Sequence, residues 1–331
     1  MRSILTHRFG SILLSTTLLV LGSTATAEDY DRYRDMFEPL PEMPPIPEDN
    51  PQTEEKVQLG KKLFFEPRLS RDRNISCASC HNPATGWGDR NPVSVGHQGK
   101  TGDRNSPTVL NSGFLEIQFW DGRAADLEEQ ALMPIEDPVE MALELDEAIE
   151  RLRSFDKYQD MFAAAWSDQD EPVNEENLGK ALAAFQRTLN TPDSPFDRFL
   201  EGDDDALTEQ QKRGMAAFAD NGCTACHTGP ALTDSNFHRF ELEGAEDDKG
   251  RYEETGDEAD KYAFRTQTLR NIERTGPYFH TGEVDDLGEA IRVMGEKMAN
   301  RELDDDTVED IEAFLVSLTG EKPDIRIPRL P

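Results

Sequence analysis

Cysteine is scarce in this chain: 331 residues contain four, Cys77, Cys80, Cys223 and Cys226. All four fall inside two Cys-x-x-Cys-His motifs, so none is left for a structural disulfide or a free nucleophilic thiol. Positive charge is also short. Lys and Arg number 35 against 67 Asp and Glu, a formal charge of −32. That balance argues against nucleic acid or an anionic membrane as partner. It is compatible with a basic protein partner steered by the field, and equally with solubility or a salty environment. Long apolar runs are missing as well, and none is long enough to span a bilayer, which takes about 20 residues.

The nearest approach to such a run is at the N-terminus. Arg2 and Arg8 precede the apolar stretch Ile12 to Leu21, and Ala25-Thr26-Ala27 forms a small-x-small site. This is the layout of a cleaved secretory signal over residues 1–27. The mature chain is expected to begin near Glu28 and to be exported and soluble.

The remainder predicts a mainly α protein with long loops. Residues 38–51 carry Pro39, Pro41, Pro44, Pro45, Pro47 and Pro51 and read as an extended arm. Two later stretches resemble each other. Thr53-Glu54 starts a helix with Gly60 and Phe64 on one face, and Thr208-Glu209 starts one with Gly214 and Phe218. Each leads into a Cys-x-x-Cys-His motif. Each half also carries a later amphipathic helix, over 175–189 with Leu178, Leu182, Phe185 and Leu189, and over 307–318 with Val308, Ile311, Phe314, Leu315 and Leu318. The plan is a small helical domain present twice, the first copy enlarged between about residues 82 and 175. The expected domains are 28–195 and 196–331, joined near Asn190 to Asp205. Residues 241–261, dense in charge and glycine, read as a surface loop.

Cys-x-x-Cys-His is the attachment pattern of a c-type haem: the two thiols bond the macrocycle and the histidine stands under the iron. Cys77, Cys80 and His81 form one such site, and Cys223, Cys226 and His227 the other. A thiol pair holding zinc is the competing reading for a single motif. The occupant of the iron's sixth position separates electron transfer from chemistry on a small ligand. His97, in a glycine-flanked loop, is either a mobile ligand or an ordinary surface histidine. His238 reads as structural or solvated, and His280 as a group near the second haem. Met294 and Met298 lie one helical turn apart, and spacing alone favours core packing for both.

At these motifs the sequence resembles the bacterial dihaem cytochrome c peroxidase family. The resemblance covers most of the chain. It is carried by Arg104-Asn105-Ser106-Pro107-Thr108-Val109-Leu110-Asn111, Gln118-Phe119-Trp120-Asp121-Gly122-Arg123-Ala124, Leu127-Glu128-Glu129-Gln130-Ala131, Pro138-Val139-Glu140-Met141, Leu269-Arg270-Asn271 and Pro277-Tyr278-Phe279-His280-Thr281-Gly282. It implies two cytochrome c-like helical domains, each around one covalently bound haem. The haem on His81 is then the low-potential, peroxidatic one, with His97 as its removable ligand. Gln130 and Glu140 become its distal residues, the glutamate as acid/base, and Trp120 the aromatic between the haems. The haem on His227 becomes the high-potential, electron-accepting one, with Met294 as ligand and Met298 as packing. Asn105, Thr275 and Pro277 fall where the family holds calcium, the last two through carbonyl oxygens, a donor set that suits that ion. Gln267 departs from the pattern, standing where the family usually has proline.

The activity this implies is reduction of hydrogen peroxide in the periplasm, with electrons from a small cytochrome c or a copper protein, in a homodimer. Two other readings compete: a pure electron carrier, and a protein-oxidising relative of the tryptophylquinone-forming kind. The latter relatives have tyrosine where Met294 stands and lack a histidine on the reactive haem. His97 and Met294 together therefore favour the peroxidase.

Overall fold

The structure, a computed structural model, describes residues 30–331. The expected export signal lies outside the described residues. Thirteen helices occur among them. Nine precede the junction or straddle it: α1 (Asp31–Arg34), α2 (Glu54–Phe64), α3 (Cys77–Cys80), α4 (Leu127–Gln130), α5 (Met133–Glu136), α6 (Leu145–Arg153), α7 (Asp156–Ala165), α8 (Glu175–Gln186) and α9 (Pro195–Leu200). Four follow: α10 (Glu209–Asp220), α11 (Tyr252–Thr255), α12 (Leu287–Lys297) and α13 (Asp305–Val316). Two short strands, β1 (Phe237–Arg239) and β2 (Ala263–Arg265), pair antiparallel with His238 opposite Phe264. They close the base of the charged 241–261 excursion.

The two halves are built on the same helix pair. Thr53 caps α2 by accepting from the Lys56 N–H, and Thr208 caps α10 by accepting from Gln211, with the Gln211 side chain returning the bond. Glu54 and Glu55 at the start of α2, and Lys61 and Lys62 at its end, suit the helix dipole. α2 packs on α8, and α10 on α13. In each pair a glycine sets the approach. A Cβ at Gly60 would stand 1.8 Å from the Ala181 carbonyl oxygen, and one at Gly214 1.8 Å from that of Asp310. The aromatics four residues on, Phe64 and Phe218, meet Phe185 and Phe314 with ring centroids 5.3 and 5.4 Å apart.

Each pair carries its own core. The first gathers Leu59, Leu63, Phe64, Ile149, Tyr158, Phe162, Leu178, Leu182 and Phe185, so α6 and α7 complete it. The second gathers Phe196, Phe199, Met215, Phe218, Ile311, Phe314 and Leu318. Full burial of each such side chain contributes about 1.5–3 kcal/mol.

The chain ends cross between the cores. Residues from 28 onward were expected in the N-terminal domain, but Tyr30, Tyr33 and Phe37 pack in the second core. The apolar spacing of that short helix matches the Phe196–Phe314 surface, where Phe37 meets Phe196 edge-on at 5.2 Å. The proline-rich arm then carries the chain over to the first core. At the other end Ile325 packs on the first core, and Lys62 Nζ donates to the Arg329 carbonyl at 2.6 Å. No helix among the described residues is long and apolar enough to cross a membrane.

Candidate active site

A cavity of about 1050 Å³ opens where the two halves meet. That is the upper end of the ~300–1,000 Å³ usual for ligand sites. Cys77, Cys80 and His81 line it from the first half, together with Phe64 and Leu182 of the α2–α8 pair. Gln130, from the end of α4, and Glu140, from the turn after α5, also line it. Trp120 contributes another wall, and Arg265, Gln267, His280 and Thr281 reach it from the second half.

The donors fit a haem better than a zinc ion. Burial pushes the Cys77 thiol up to about 12 and the Cys223 thiol up to about 11, and raises those of Cys80 and Cys226. Each thiol pair is followed directly by its histidine, the set that attaches a c-type haem. Several residues that line this cavity carry a buried polar atom with no hydrogen-bond partner: His81 Nδ1, Gln267 Nε2, His280 Nδ1 and Thr281 Oγ1. A space of this volume, with apolar walls at Phe64, Val109, Leu115, Met141 and Leu182 and polar groups elsewhere, is complementary to a large, mainly apolar group with a polar edge.

The second motif has its own fixed imidazole. His227 Nδ1 lies 3.1 Å from the Leu232 carbonyl oxygen, which selects the tautomer that leaves Nε2 free for a metal. Burial lowers the pKa of both His227 and His81, the neutral form that ligation requires. Phe218 stands 6.1 Å from the His227 ring. Met294 lies half-buried in α12, while Met298, at that helix's C-terminal cap, is exposed. Cys226, Asp234 and His238 also approach within 4.8 Å of one another. His238 is held there by Asp234 at 2.8 Å.

Glu140 is the most perturbed acid of the cavity. Burial and the neighbouring Asp137 raise its pKa to about 7, against a smaller opposing pull from Arg123. Arg123 is itself paired with Asp121 and lies 3.5 Å over the Phe119 ring. Trp120 Nε1 donates to the Asn105 carbonyl at 2.9 Å, and its ring stands edge-on to His280 at 6.2 Å. His280 in turn stacks on Phe264 at 3.9 Å, and burial pushes its pKa down to about 4.

His97 is brought close to this site but not into it. The residue is 6% exposed, and its N–H donates to the carbonyls of Val139 and Glu140, each at 2.8 Å. Its ring does not line the cavity; Nδ1 lies 3.3 Å from the Asp72 carboxylate. Asp72 had no distinguishing signal in the sequence, since only the tertiary approach of two loops makes it a partner. Asn105 is buried, donates its N–H to the His280 carbonyl at 2.7 Å and turns Nδ2 to the Asn91 and Pro92 carbonyls at 3.1 and 3.2 Å. Thr275 and Pro277 flank Gly276, whose bond to Pro277 is cis, and no hydrogen bond links either to Asn105 among the described residues.

Two matching helix pairs, each presenting a Cys-x-x-Cys-His motif, with a large cavity at their junction, define a two-domain protein made to hold two haems. The family model for di-haem cytochrome c peroxidase matches residues 54–205. Cytochrome c551 peroxidase of Pseudomonas aeruginosa is 44% identical over 97% of this chain and 94% of its own length. That of Nitrosomonas europaea is 43% identical over 87% of this chain and 86% of its own. Among solved structures, a MauG-like protein associated with microbial copper homeostasis is 31% identical with a TM-score of 0.77, covering 87% of this chain and 95% of that one. The chain belongs to the di-haem cytochrome c peroxidase family.

Proposed function

We propose that this chain is a cytochrome c peroxidase that reduces hydrogen peroxide to water, with electrons from a small cytochrome c or copper protein. The observation that carries the reading is Glu140: a carboxyl group in the wall of the cavity that also holds Cys77, Cys80 and His81, with its pKa raised to about 7. A carboxyl group poised there can both take and return a proton at neutral pH.

Cys77 and Cys80 attach the first haem covalently and His81 ligates it; Cys223, Cys226 and His227 do the same for the second. The haem irons supply the site that takes up peroxide and the store of electrons that reduces it. Glu140 accepts the proton of the inner peroxide oxygen and delivers it to the outer one, so that the leaving oxygen departs as water. Gln130 donates its amide N–H toward the same oxygens and orients them. Burial and Asp137 hold Glu140 basic enough for the first step, while Arg123 pulls its pKa the other way. Trp120, fixed through its Nε1 by the Asn105 carbonyl and continued by His280 and Phe264, offers an aromatic path between the halves. His97 would be the removable ligand of the first haem; its ring stands beside Asp72, outside the cavity. Met294 would be the ligand that closes the second haem.

Asn105, with carbonyls of Thr275 and Pro277, is proposed to hold calcium between the halves. An amide oxygen with two backbone carbonyl oxygens is an all-oxygen donor set, which suits that ion. The small-x-small site at Ala25-Thr26-Ala27 supports export to the periplasm. A homodimer is proposed on the resemblance alone.

The test is spectroscopic. The protein reduced by one electron, with calcium present, is expected to show a high-spin haem and to consume peroxide when a reduced donor is added. A first haem that stays low-spin with peroxide unconsumed sinks the peroxidase reading in favour of a pure electron carrier.

A further inference from the structure

Three arginines lie around the junction of the halves, Arg270 and Arg265 buried and Arg104 half-buried, and two are neutralised. Arg270 meets Asp197 at 2.7 Å, and Arg104 is shared among Asp121, Asp248 and Glu253. Arg265 is 3% exposed and has no carboxylate against it among the described residues. Its guanidinium donates only to neutral oxygens: Phe119 O at 3.0 Å, Thr266 O at 3.1 Å and Gln267 Oε1 at 3.1 Å. Burial alone, with no opposing charge, pushes its pKa down to about 10. A buried guanidinium without a counter-ion is costly, so its partner belongs in the space it faces. That space is the first-haem cavity, which Arg265 and Gln267 both line.

Gln267 adds a second indication. Its Oε1 braces Arg265, its Nε2 is buried and unpartnered, and the residue lines the same cavity. One cation and one spare amide donor side by side make a carboxylate site. Proline, the residue the resemblance leads one to expect there, could supply neither the brace nor the donor.

We propose that Arg265 and Gln267 together form a carboxylate anchor for the haem attached at Cys77 and Cys80, receiving its propionate groups and holding its reduction potential up. The inference rests on the di-haem reading. A positive charge beside the propionates favours the reduced, less positive iron, so its removal lowers the potential. Gln267 is then a positioning residue: it keeps the guanidinium aimed and adds a neutral donor. Because Arg265 N–H also donates to the Trp120 carbonyl at 2.8 Å, the anchor sits beside the aromatic between the halves.

The experiment is a spectroelectrochemical titration of the complete dihaem protein, with Arg265→Gln, Arg265→Lys and Gln267→Leu beside the parent. Arg265→Gln is expected to lower the midpoint of the first haem so that its reduced-to-oxidised ratio at fixed potential falls about tenfold, or about 59 mV for one electron. The second haem should move much less. Arg265→Lys should recover part of the loss, and Gln267→Leu should shift the same haem in the same direction by less. If Arg265→Gln does not fold, Gln267→Leu decides. An unmoved first haem, or two haems shifted equally, overturns the anchor. A parent protein that carries one haem per chain by haemochrome absorbance instead overturns the di-haem reading, and so the two failures are told apart.

Discussion

Asn111 and Asn271 donate their side-chain amides to the same atom, the hydroxyl oxygen of Thr191, each at 2.8 Å. The two asparagines occupy matching places in the two halves. Both have left-handed backbones, at φ +60° and +61°, and their N–H groups donate to Leu189 and Leu318, the residues just beyond α8 and α13. All three side chains are buried. Thr191 thus lies where the matched halves meet, and its N–H returns a bond to Asn111 Oδ1 at 2.9 Å.

Thr191→Val removes the shared acceptor while keeping the shape. Two buried amides lose their partner together, at roughly 1–3 kcal/mol each. The expected result is a lower denaturation midpoint, with both haem-site spectra retained in the folded fraction. Thr191→Ser, which keeps the oxygen, should lose much less. A Val variant as stable as the parent would mean that the shared hydroxyl oxygen contributes nothing.

The helix crossings give a sharper test of the repeat. Alanine at Gly60 or Gly214 would put a methyl carbon 1.8 Å from a carbonyl oxygen of the facing helix. The helices must part, at a cost of about 1–3 kcal/mol or more. Each variant is expected to melt at lower temperature in differential scanning calorimetry. Similar losses at the two sites would follow from their matching geometry, and a neutral result at either would mean that its pair tolerates separation.

Glu140→Gln keeps size and burial but cannot accept a proton. Peroxide turnover should fall about 10²- to 10⁴-fold, with the absorption spectrum unchanged. The same group predicts the pH dependence of the parent. The form able to take the first proton is the carboxylate, and the pKa is raised to about 7, so the rate should climb as pH rises through that value. In Glu140→Gln that limb should vanish. A limb that persists in the variant belongs to another group.

What was legible in advance follows from locality. Thr53 and Thr208 as caps, Gly60 and Gly214 as close-approach positions, and the stripe Leu178, Leu182, Phe185 are set within one or two helical turns, and each stands as expected. Observed ends at Gln186 and Val316 fall short of the expected 189 and 318, because the chain turns there to place Leu189 and Leu318 under the asparagines. The haem motifs were legible because their spacing is itself the chemistry. What could not be read was pairing across distance. Tyr30, Tyr33 and Phe37 look like any amphipathic start, and nothing local assigns them to the second core. Arg265 and Asp72 are ordinary charges in the sequence; only the fold leaves one without a counter-ion and puts the other against His97.

His97 gives the last prediction. Its backbone is pinned to Val139 and Glu140 while its ring turns to Asp72, away from the cavity. A residue held at the edge of the site by its main chain can change what its side chain does without moving the distal glutamate. His97→Gly removes the proposed ligand and leaves the loop's own bond, Gly96 N–H to the Lys100 carbonyl, in place. The variant should react with peroxide even when fully oxidised, with no prior reduction of the second haem, as read by stopped-flow absorbance. The parent in the same state should be slow. If the variant is as slow as the parent, His97 does not guard the first haem, and its pairing with Asp72 is structural.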